Sequence, residues 1–317
     1  IKKITEGKDV LAKEELHRSL ISLGINNILI PEKNGGLGLD LLFATAVSQS
    51  LGEGVATLPF LGPYIVAPTA IKYGASDNQK EKLFSNMSQN LMNFGIGFSE
   101  YFGSRDSSGL NISDKKVTGK TLFVLDVDFA THVMVSDEGG QIGIVSLDSD
   151  GIEMIDLITV DKTRTFTEMH FVDTPIEVLD KTKSSSVAVE MALDAGRIIT
   201  AADSLGASQA MINKAVEYSK ERKQFNRVIG SFQAVKHMCA EMAAELEPCY
   251  SLVWHAAHSF DDSSEDSRLM ACLAKSHVAE VSKMVSKKAT EVHGGMGFTD
   301  LLGLHFWFKR IGLNRHI

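Results

Sequence analysis

The sequence predicts a mainly α-helical protein with a central β domain, and this prediction rests on how the apolar period changes along the chain. A helical period runs through residues 1 to about 92, a two-residue strand period replaces it from about 93 to 178, and the helical period returns from about 184. Strands clustered between two helical blocks indicate a separate β domain. We therefore expect an N-terminal helical domain over 1–92, a β-barrel-like domain over 93–180 and a C-terminal four-helix bundle over 181–317.

Apolar spacing and chain breakers define the first helical block. Leu16, Leu20 and Leu23 lie at helical spacing, and Gly24 follows them as a stop signal. The same spacing predicts a second helix through three further apolar residues, Phe43, Val47 and Leu51. The chain would break at 62–63, before a third helix at 67–73 and a short helix from about 79.

Alternating apolar residues mark the strands of the β domain. Residues 132–135 and 142–145 are apolar runs on either side of Asp137-Glu138-Gly139-Gly140, which is a hairpin signal. Residues 117–124 predict a strand with a turn inside it, and 165–172 predict a further strand.

The third block has the pattern of an antiparallel bundle. An apolar stripe from Leu193 to Val216 predicts one long helix, and further helices are predicted at about 231–258, about 265–291 and 304–311. Pro248 would kink the second of these helices. Four helices joined by short links favour an antiparallel bundle.

Composition excludes several classes of protein. The net charge of −8 argues against a nucleic-acid binder, and three cysteines without metal-site spacing argue against a bound metal. The sequence has no run of about 18 apolar residues and no signal peptide at its start, so we expect a cytoplasmic protein without a membrane span. Because the chain begins with Ile1 rather than Met, we expect a few residues to be missing before it, and the abrupt end at Ile317 raises the same question.

Four segments match motifs of one known family, in the family's order. They are residues 30–38, 73–80, 222–234 and 291–298. Residues 222–234 are similar to the signature Arg-x-Gln-Phe-Gly-x-x-Ile-Gly-x-Phe-Gln-Ala of the acyl-CoA dehydrogenase family, and 291–298 are similar to its Gln-x-x-Gly-Gly-x-Gly-Phe motif. The chain therefore resembles this family over essentially its whole length.

The resemblance implies an activity, a cofactor and partners. It implies an oxidoreductase of fatty-acid metabolism that uses FAD for the α,β-dehydrogenation of an acyl-CoA thioester, of the fatty-acid or steroid side-chain type. It also implies an electron-transferring flavoprotein as partner and a homo- or heterotetramer. Two alternatives stay open: a non-catalytic subunit that completes a partner's flavin site, and an acyl-CoA-binding or oxidase-like relative that uses oxygen directly.

Residues 222–234 are expected to contact FAD. The resemblance suggests Arg222, Gln224 and Phe225 as flavin contacts across a dimer interface, with Gln233 nearby. A guanidinium can bind phosphate oxygens with two parallel hydrogen bonds, which would suit Arg222 to the FAD diphosphate. The structural alternatives are a cation at a helix C-terminus for Arg222 and an ordinary core aromatic for Phe225.

Gly294 and Gly295 are expected to let the backbone approach the FAD diphosphate, because glycine has no Cβ. The alternative for Gly294 is a helix C-cap followed by a turn. Glu291 departs from the glutamine that the family usually carries, and its carboxylate would be repelled by a flavin phosphate.

The β domain departs further from the family pattern. The family's Thr-Glu-Pro-x-x-Gly-Ser segment appears as residues 99–104, one residue shorter and without the proline, which leaves Ser99 and Ser104 as candidate donors to the cofactor. Phe123 stands where the family has a tryptophan that packs on the flavin. Leu125 lacks the hydroxyl that the family directs at flavin N5.

The catalytic base is the largest departure from the family. In the family, the catalytic glutamate lies at one of two places. One is a loop after the final bundle helix, at or just past Ile317 in this chain, and the other is near the start of the first bundle helix. Residues 309–317 contain no acid, and the second location has Gly196 at the base position with Arg197 beside it. Asp194 is about 200° away round a helix and is interpreted as a surface or capping carboxylate. The base stays unassigned, and the chain resembles the base-lacking subunit of bacterial α2β2 relatives unless the acid lies beyond Ile317.

Overall fold

The computed structural model describes residues 10–103 and 105–317. These residues form two compact units. The sheet unit consists of residues 10–40 and 57–196, and the helical unit consists of residues 41–56 and 197–317. The fold class, mainly α with a central β domain, is confirmed, whereas the three predicted domain boundaries stay a prediction.

The elements follow one another in three blocks. The helices are α1 (Val10–Ser22), α2 (Leu41–Glu53), α3 (Ala67–Gly74), α4 (Asp77–Ser88), α5 (Val187–Glu221), α6 (Gln233–Asp261), α7 (Ser267–His293) and α8 (Leu304–Asn314). The strands are β1 (Phe94–Gly97), β2 (Gly109–Ser113), β3 (Lys116–Leu125), β4 (His132–Ser136), β5 (Ile142–Ser146), β6 (Ile152–Leu157), β7 (Phe166–Pro175), β8 (Glu177–Val178), β9 (Lys223–Gln224) and β10 (Arg227–Val228). Across the part of the chain that the structure describes, no helix is long and apolar enough to cross a bilayer.

Helix α1 buries a different face from the one its leucines predict. Leu20 is buried, but Leu16 and Leu23 are 41% and 72% exposed, and His17 is buried in their place. The His17 ring lies within hydrogen-bond distance of a tyrosine hydroxyl, with Nε2 3.0 Å from Tyr64 Oη. A buried polar side chain is tolerated when it has such a partner, so the leucine stripe alone could not identify this face.

The central sheet is mixed. Its strand order is β6-β7-β3-β1-β4-β5-β8, with β2 paired to β3 off this path. β1 and β4 run parallel, the other pairs are antiparallel, and the predicted hairpin is confirmed as β4–β5. The turn predicted within residues 117–124 is wrong, because β3 is one strand whose register against β7 shifts twice. Such shifts are β-bulges, which bend a strand without ending it. Apolar side chains from several strands, among them Val133, Met169 and Phe171, form the core.

The four helices predicted for the C-terminal block are present as α5 to α8, and α6 runs through Pro248 as one helix. In the helical unit, α2 packs on α5 through glycine, whereas of its predicted apolar stripe Phe43 is 49% exposed and Val47 and Leu51 are half-buried. A Cβ at Gly52 would lie 2.0 Å from Asp203 O, and one at Gly206 would lie 1.8 Å from Gln49 O. The two helices therefore approach so closely that only glycine fits at these positions.

Candidate functional site

A hairpin follows the end of α5 and presents an aromatic ring at its tip. Its strands β9 and β10 are antiparallel, and the loop residues Phe225 and Asn226 have φ angles of +51° and +61°. Positive φ at both positions fits a type I′ turn, which strains a bulky residue. Phe225 is 87% exposed, so the alternative interpretation of this residue as an ordinary core aromatic is wrong. Strain combined with an exposed ring indicates a contact surface.

The other candidates from this segment lie beside Phe225. Arg222 directly follows α5, its amide N–H donates to Tyr218 O at 2.9 Å, and its side chain is exposed. Gln224 is exposed on β9, and Gln233 begins α6. The structure thus places a cation, two amides and an aromatic ring on the hairpin and the helix start that follows it.

Phe232 supports the hairpin from the segment that follows it. The Arg227 guanidinium lies 3.9 Å from the centre of the Phe232 ring, and the Phe225 ring meets that ring edge-on at 6.1 Å. Cation–π contacts of this kind contribute about 0.5–1 kcal/mol at exposed sites. The Phe232 ring therefore contacts two side chains of the hairpin, the Phe225 ring and the Arg227 guanidinium.

The glycine segment after α7 is open to a ligand. Gly294 has φ 58° and ψ −142°, a conformation available essentially only to glycine. A Cβ at Gly295 would meet nothing in the described chain within 4 Å, so packing within the chain does not explain why this residue is glycine. Both residues are exposed, whereas Gly297 is buried and packs against Thr290. This exposed backbone is what close approach of a phosphate requires.

Two rings join the hairpin segment to the glycine segment. Tyr218, one turn before Arg222, lies with its ring 4.6 Å from that of His293, which precedes Gly294. His293 is buried, its Nδ1 donates to Ala289 O at 2.7 Å, and burial lowers its pKa. Sequence reasoning gave neither residue a role, although His293 lies inside the 291–298 motif and Tyr218 lies one helical turn before the 222–234 motif. The two segments thus lie at the same end of the helical unit.

The sheet unit carries a second aromatic candidate on a bulge. Phe123 has φ +51°, its side chain is 47% exposed, and it lies in the register shift between Thr121 and Val124 of β3. Leu125 is buried and pairs with Ile96, so it offers no polar group. The bulge turns the Phe123 ring out of the sheet, where it can cover a planar ligand.

Of the two serines expected to donate to the cofactor, the structure describes Ser99. Ser99 is half-buried, and its hydroxyl donates within the sheet unit to Leu122 O at 2.7 Å or to the Glu100 carboxylate. Ser104 lies outside the described residues. A cofactor contact from Ser99 would therefore compete with an internal acceptor for the one hydroxyl proton.

The expected base position has room for a side chain. Gly196 is half-buried on α5, and a Cβ there would lie 3.6 Å from Val66 Cγ2 and 3.9 Å from Leu61 Cδ1, which is ordinary contact. Arg197 is half-buried and follows it in sequence. Asp194 is only 3% exposed and lies inside α5, which begins at Val187, so its interpretation as a surface or capping carboxylate is wrong. A buried carboxylate persists where neighbouring groups hold it, a fact that sequence spacing does not reveal.

Helices, a mixed sheet and helices follow one another along the chain, and the helical unit carries an exposed aromatic hairpin and an exposed glycine segment. The comparisons with known proteins show which class of protein has this order: it is that of the flavin-dependent oxidoreductases. The acyl-CoA dehydrogenase N-terminal domain matches residues 2–90, and the acyl-CoA dehydrogenase C-terminal domain matches residues 186–316. The chain belongs to the acyl-CoA dehydrogenase family.

Individual relatives span most of the chain. It is 28% identical to the short-chain specific acyl-CoA dehydrogenase of Megasphaera elsdenii, over 90% of this chain and 81% of that protein. It is 26% identical to the CarC subunit of the caffeyl-CoA reductase–Etf complex of Acetobacterium woodii, over 90% and 80%. A solved structure of a steroid ACAD variant superposes with a TM-score of 0.82 at 26% identity, over 94% of this chain and 83% of that one.

The residues present fit a flavin dinucleotide. In the helical unit, an exposed guanidinium and an exposed glycine backbone suit a diphosphate, because both supply donors to phosphate oxygens. The exposed Phe225 ring of the same unit suits a planar part of the group. Family membership and this donor set together imply a flavin.

Proposed function

We propose that the chain binds FAD and takes part in the α,β-dehydrogenation of an acyl-CoA thioester. The observation that carries this proposal is the hairpin after α5, where Phe225 is strained and exposed next to the exposed Arg222. The backbone strain at Phe225 costs free energy, and a ring that is 87% exposed recovers little of it within the chain, so a ligand or a neighbouring subunit explains the conformation best. When bound, FAD would accept the hydride that leaves the acyl Cβ.

Each candidate residue has a separate part in this proposal. Arg222 would bind the diphosphate through its planar fork of donors, and the backbone at Gly294 and Gly295 would donate to the same oxygens. Phe225 and Phe123 would exclude water from the planar parts of the cofactor. We further propose FAD as the form of the flavin and an electron-transferring flavoprotein as electron partner, by analogy with the Etf complex that contains CarC.

The substrate class is the least defined part of the proposal. The relatives act on chemically different acyl groups, as the names of the short-chain enzyme and the steroid ACAD indicate. We propose an acyl-CoA thioester of the fatty-acid or steroid side-chain type. The thioester Cα–H is a weak acid, so its proton must be taken by a positioned carboxylate.

A second candidate function follows from Gly196. Because a Cβ would fit there without a clash, packing does not demand glycine at this position, which is one of the two positions where the family carries its base. We therefore propose, as the alternative, that this chain is the base-lacking subunit of a heteromeric acyl-CoA dehydrogenase. In that assembly a partner subunit would supply the carboxylate, and this chain would complete the flavin site.

One anaerobic experiment separates these functions. The purified chain is loaded with FAD and mixed rapidly with short, long and steroid-sized acyl-CoA thioesters while flavin absorbance is followed. Bleaching by the chain alone supports the dehydrogenase, and bleaching only after co-expression with a neighbouring reading frame supports the base-lacking subunit. Bleaching that air reverses with release of peroxide would favour an oxidase instead. A chain that retains no flavin in any form would contradict the proposed function.

A further inference from the structure

Glu100 is a buried carboxylate that the proposed flavin contacts do not use. It lies on the 3-10 turn Ser99–Phe102 of the sheet unit and is only 1% exposed. Its Oε2 accepts a hydrogen bond from Thr121 Oγ1 at 2.5 Å, and its Oε1 accepts one from Leu122 N at 2.9 Å. Ser99 Oγ lies within 3.0 Å of both carboxylate oxygens. Burying a carboxylate is costly unless such donors surround it.

The donors to Glu100 belong to the bulged part of β3. Thr121 pairs with Met169 of β7, and the ladder resumes only at Val124 with Thr167. A bulge leaves backbone groups without their partner in the ladder, and a buried N–H must find another acceptor. The carboxylate supplies that acceptor to Leu122 N.

The residue that this arrangement holds is Phe123, which follows Leu122 directly. Its φ of +51° is unfavourable for a bulky side chain, and such strain persists only when the surroundings impose it. The ring is 47% exposed, so burial of the ring does not stabilise this conformation fully. The hydrogen bonds to Glu100 act on the two residues immediately before the strained one and are the contacts best placed to impose it.

We propose that Glu100 is a positioning residue that holds the Thr121–Phe123 bulge so that the Phe123 ring is presented to the flavin. The carboxylate touches neither cofactor nor substrate and acts only through Phe123. That the Phe123 ring faces a flavin rests on the proposed function. The hold of Glu100 on residues 121–123, which we call the clamp, rests on the hydrogen bonds alone.

The test uses Glu100→Gln, which keeps the size of the side chain but turns an NH2 group towards either Thr121 Oγ1 or Leu122 N, the two donors of the bulge. In the flavin-free protein, we expect amide exchange of residues 121–123 to rise about tenfold, as loss of one such hydrogen bond predicts. In the FAD-loaded protein, we expect the flavin to be retained while its visible circular dichroism changes, because the ring beside it has moved. Unchanged amide exchange would overturn the clamp.

A double-mutant cycle with Phe123→Leu separates positioning from general stability. If Glu100 acts through Phe123, Glu100→Gln leaves the flavin spectrum of the Phe123→Leu protein unchanged. An equal spectral change with and without the Phe123 ring would overturn the proposal. Glu217→Gln is the control, since it makes the same substitution at an exposed carboxylate of the helical unit and should leave exchange at 121–123 unaffected.

Two further outcomes are also decisive. If Glu100→Gln does not fold, Thr121→Val is measured instead, because it removes the Thr121 hydrogen bond to Glu100 and should raise amide exchange at 122–123. Unchanged exchange in that variant would overturn the clamp. If the native protein holds no flavin, the proposed function fails, and the exchange experiment still supports or overturns the clamp on its own.

Discussion

The ring of Tyr218 lies 4.6 Å from the ring of His293, and this contact joins the last turn of α5 to the end of α7. Arg222 lies one helical turn beyond Tyr218, and Gly294 follows His293 in sequence. Two motifs about 70 residues apart thereby share one end of the helical unit. His293 is buried at this contact, and burial lowers the pKa of its imidazole, which makes this end of the unit sensitive to pH.

We expect stability to fall below about pH 6.5, partly because of His293. Burial lowers its pKa from the ordinary value of 6.5, so the unfolded chain binds a proton at a higher pH than the folded chain does. The free energy of unfolding therefore decreases as pH falls from 6.5 to the lowered pKa of the folded state. The pKa values of His17 and His132 are shifted in the same direction, also by burial.

His293→Asn tests this assignment, because the asparagine amide can still donate to Ala289 O. Urea unfolding at several pH values from about 7.5 to about 5, on either side of the ordinary histidine pKa, should show a shallower loss of stability than in the native protein. His258→Asn, which changes an exposed histidine, should leave the slope as it is. Equal slopes in the native protein and in His293→Asn would contradict the prediction.

Arg222→Ala should weaken retention of FAD about tenfold or more, because a charge-assisted phosphate contact is worth roughly 1.5–3 kcal/mol. Arg222→Lys should also lose affinity, since a point charge cannot replace the guanidinium fork. The ratio of flavin to protein after gel filtration measures the effect. Lys220→Ala is the control, because Lys220 lies two residues away and pairs with Glu217 at 2.8 Å. Equal flavin content in Arg222→Ala and the native protein would count against the assignment.

We predict a stable oligomer that buries the apolar surface of the helical unit. Large apolar side chains are exposed there, including Phe225 at 87%, Phe298 at 82% and Leu301 at 80%. Exposed apolar residues in such number mark an interaction surface. Light scattering at micromolar concentration should give at least twice the mass of one chain. A monomer under these conditions would refute the prediction.

Gly196→Glu should raise the rate of proton abstraction from acyl-CoA in the FAD-loaded protein. The new Cβ meets Val66 and Leu61 only in ordinary contact, so the variant should fold. General-base catalysis typically contributes about 10²–10⁴-fold, and a gain of about 10² would support the base position. Gly196→Gln has the same size without the carboxylate and should gain nothing. Rates that do not differ between the two variants would show that the base position lies elsewhere.

Motifs identified the family and the fold class because they are local features of the chain. The Arg222–Ala234 segment and the glycines at 294–297 are recognisable in any context, and the change from helical to strand period locates the sheet. Apolar spacing was less reliable for the individual helices. The leucines of α1 predicted that one face of the helix is buried, but the structure buries a different face, which includes His17.

The order of the elements, the hairpin β4–β5 and the residues proposed to contact the flavin could all be read from the amino acids alone. Only the tertiary structure shows that Phe225 is exposed and that Asp194 is buried. It also shows that Gly52 and Gly206 let α2 and α5 pack closely, and that Glu100 accepts hydrogen bonds from the β3 bulge. Period and motif are properties of neighbouring residues. Burial and hydrogen-bond partners depend instead on segments that are distant in sequence and meet only in the folded chain.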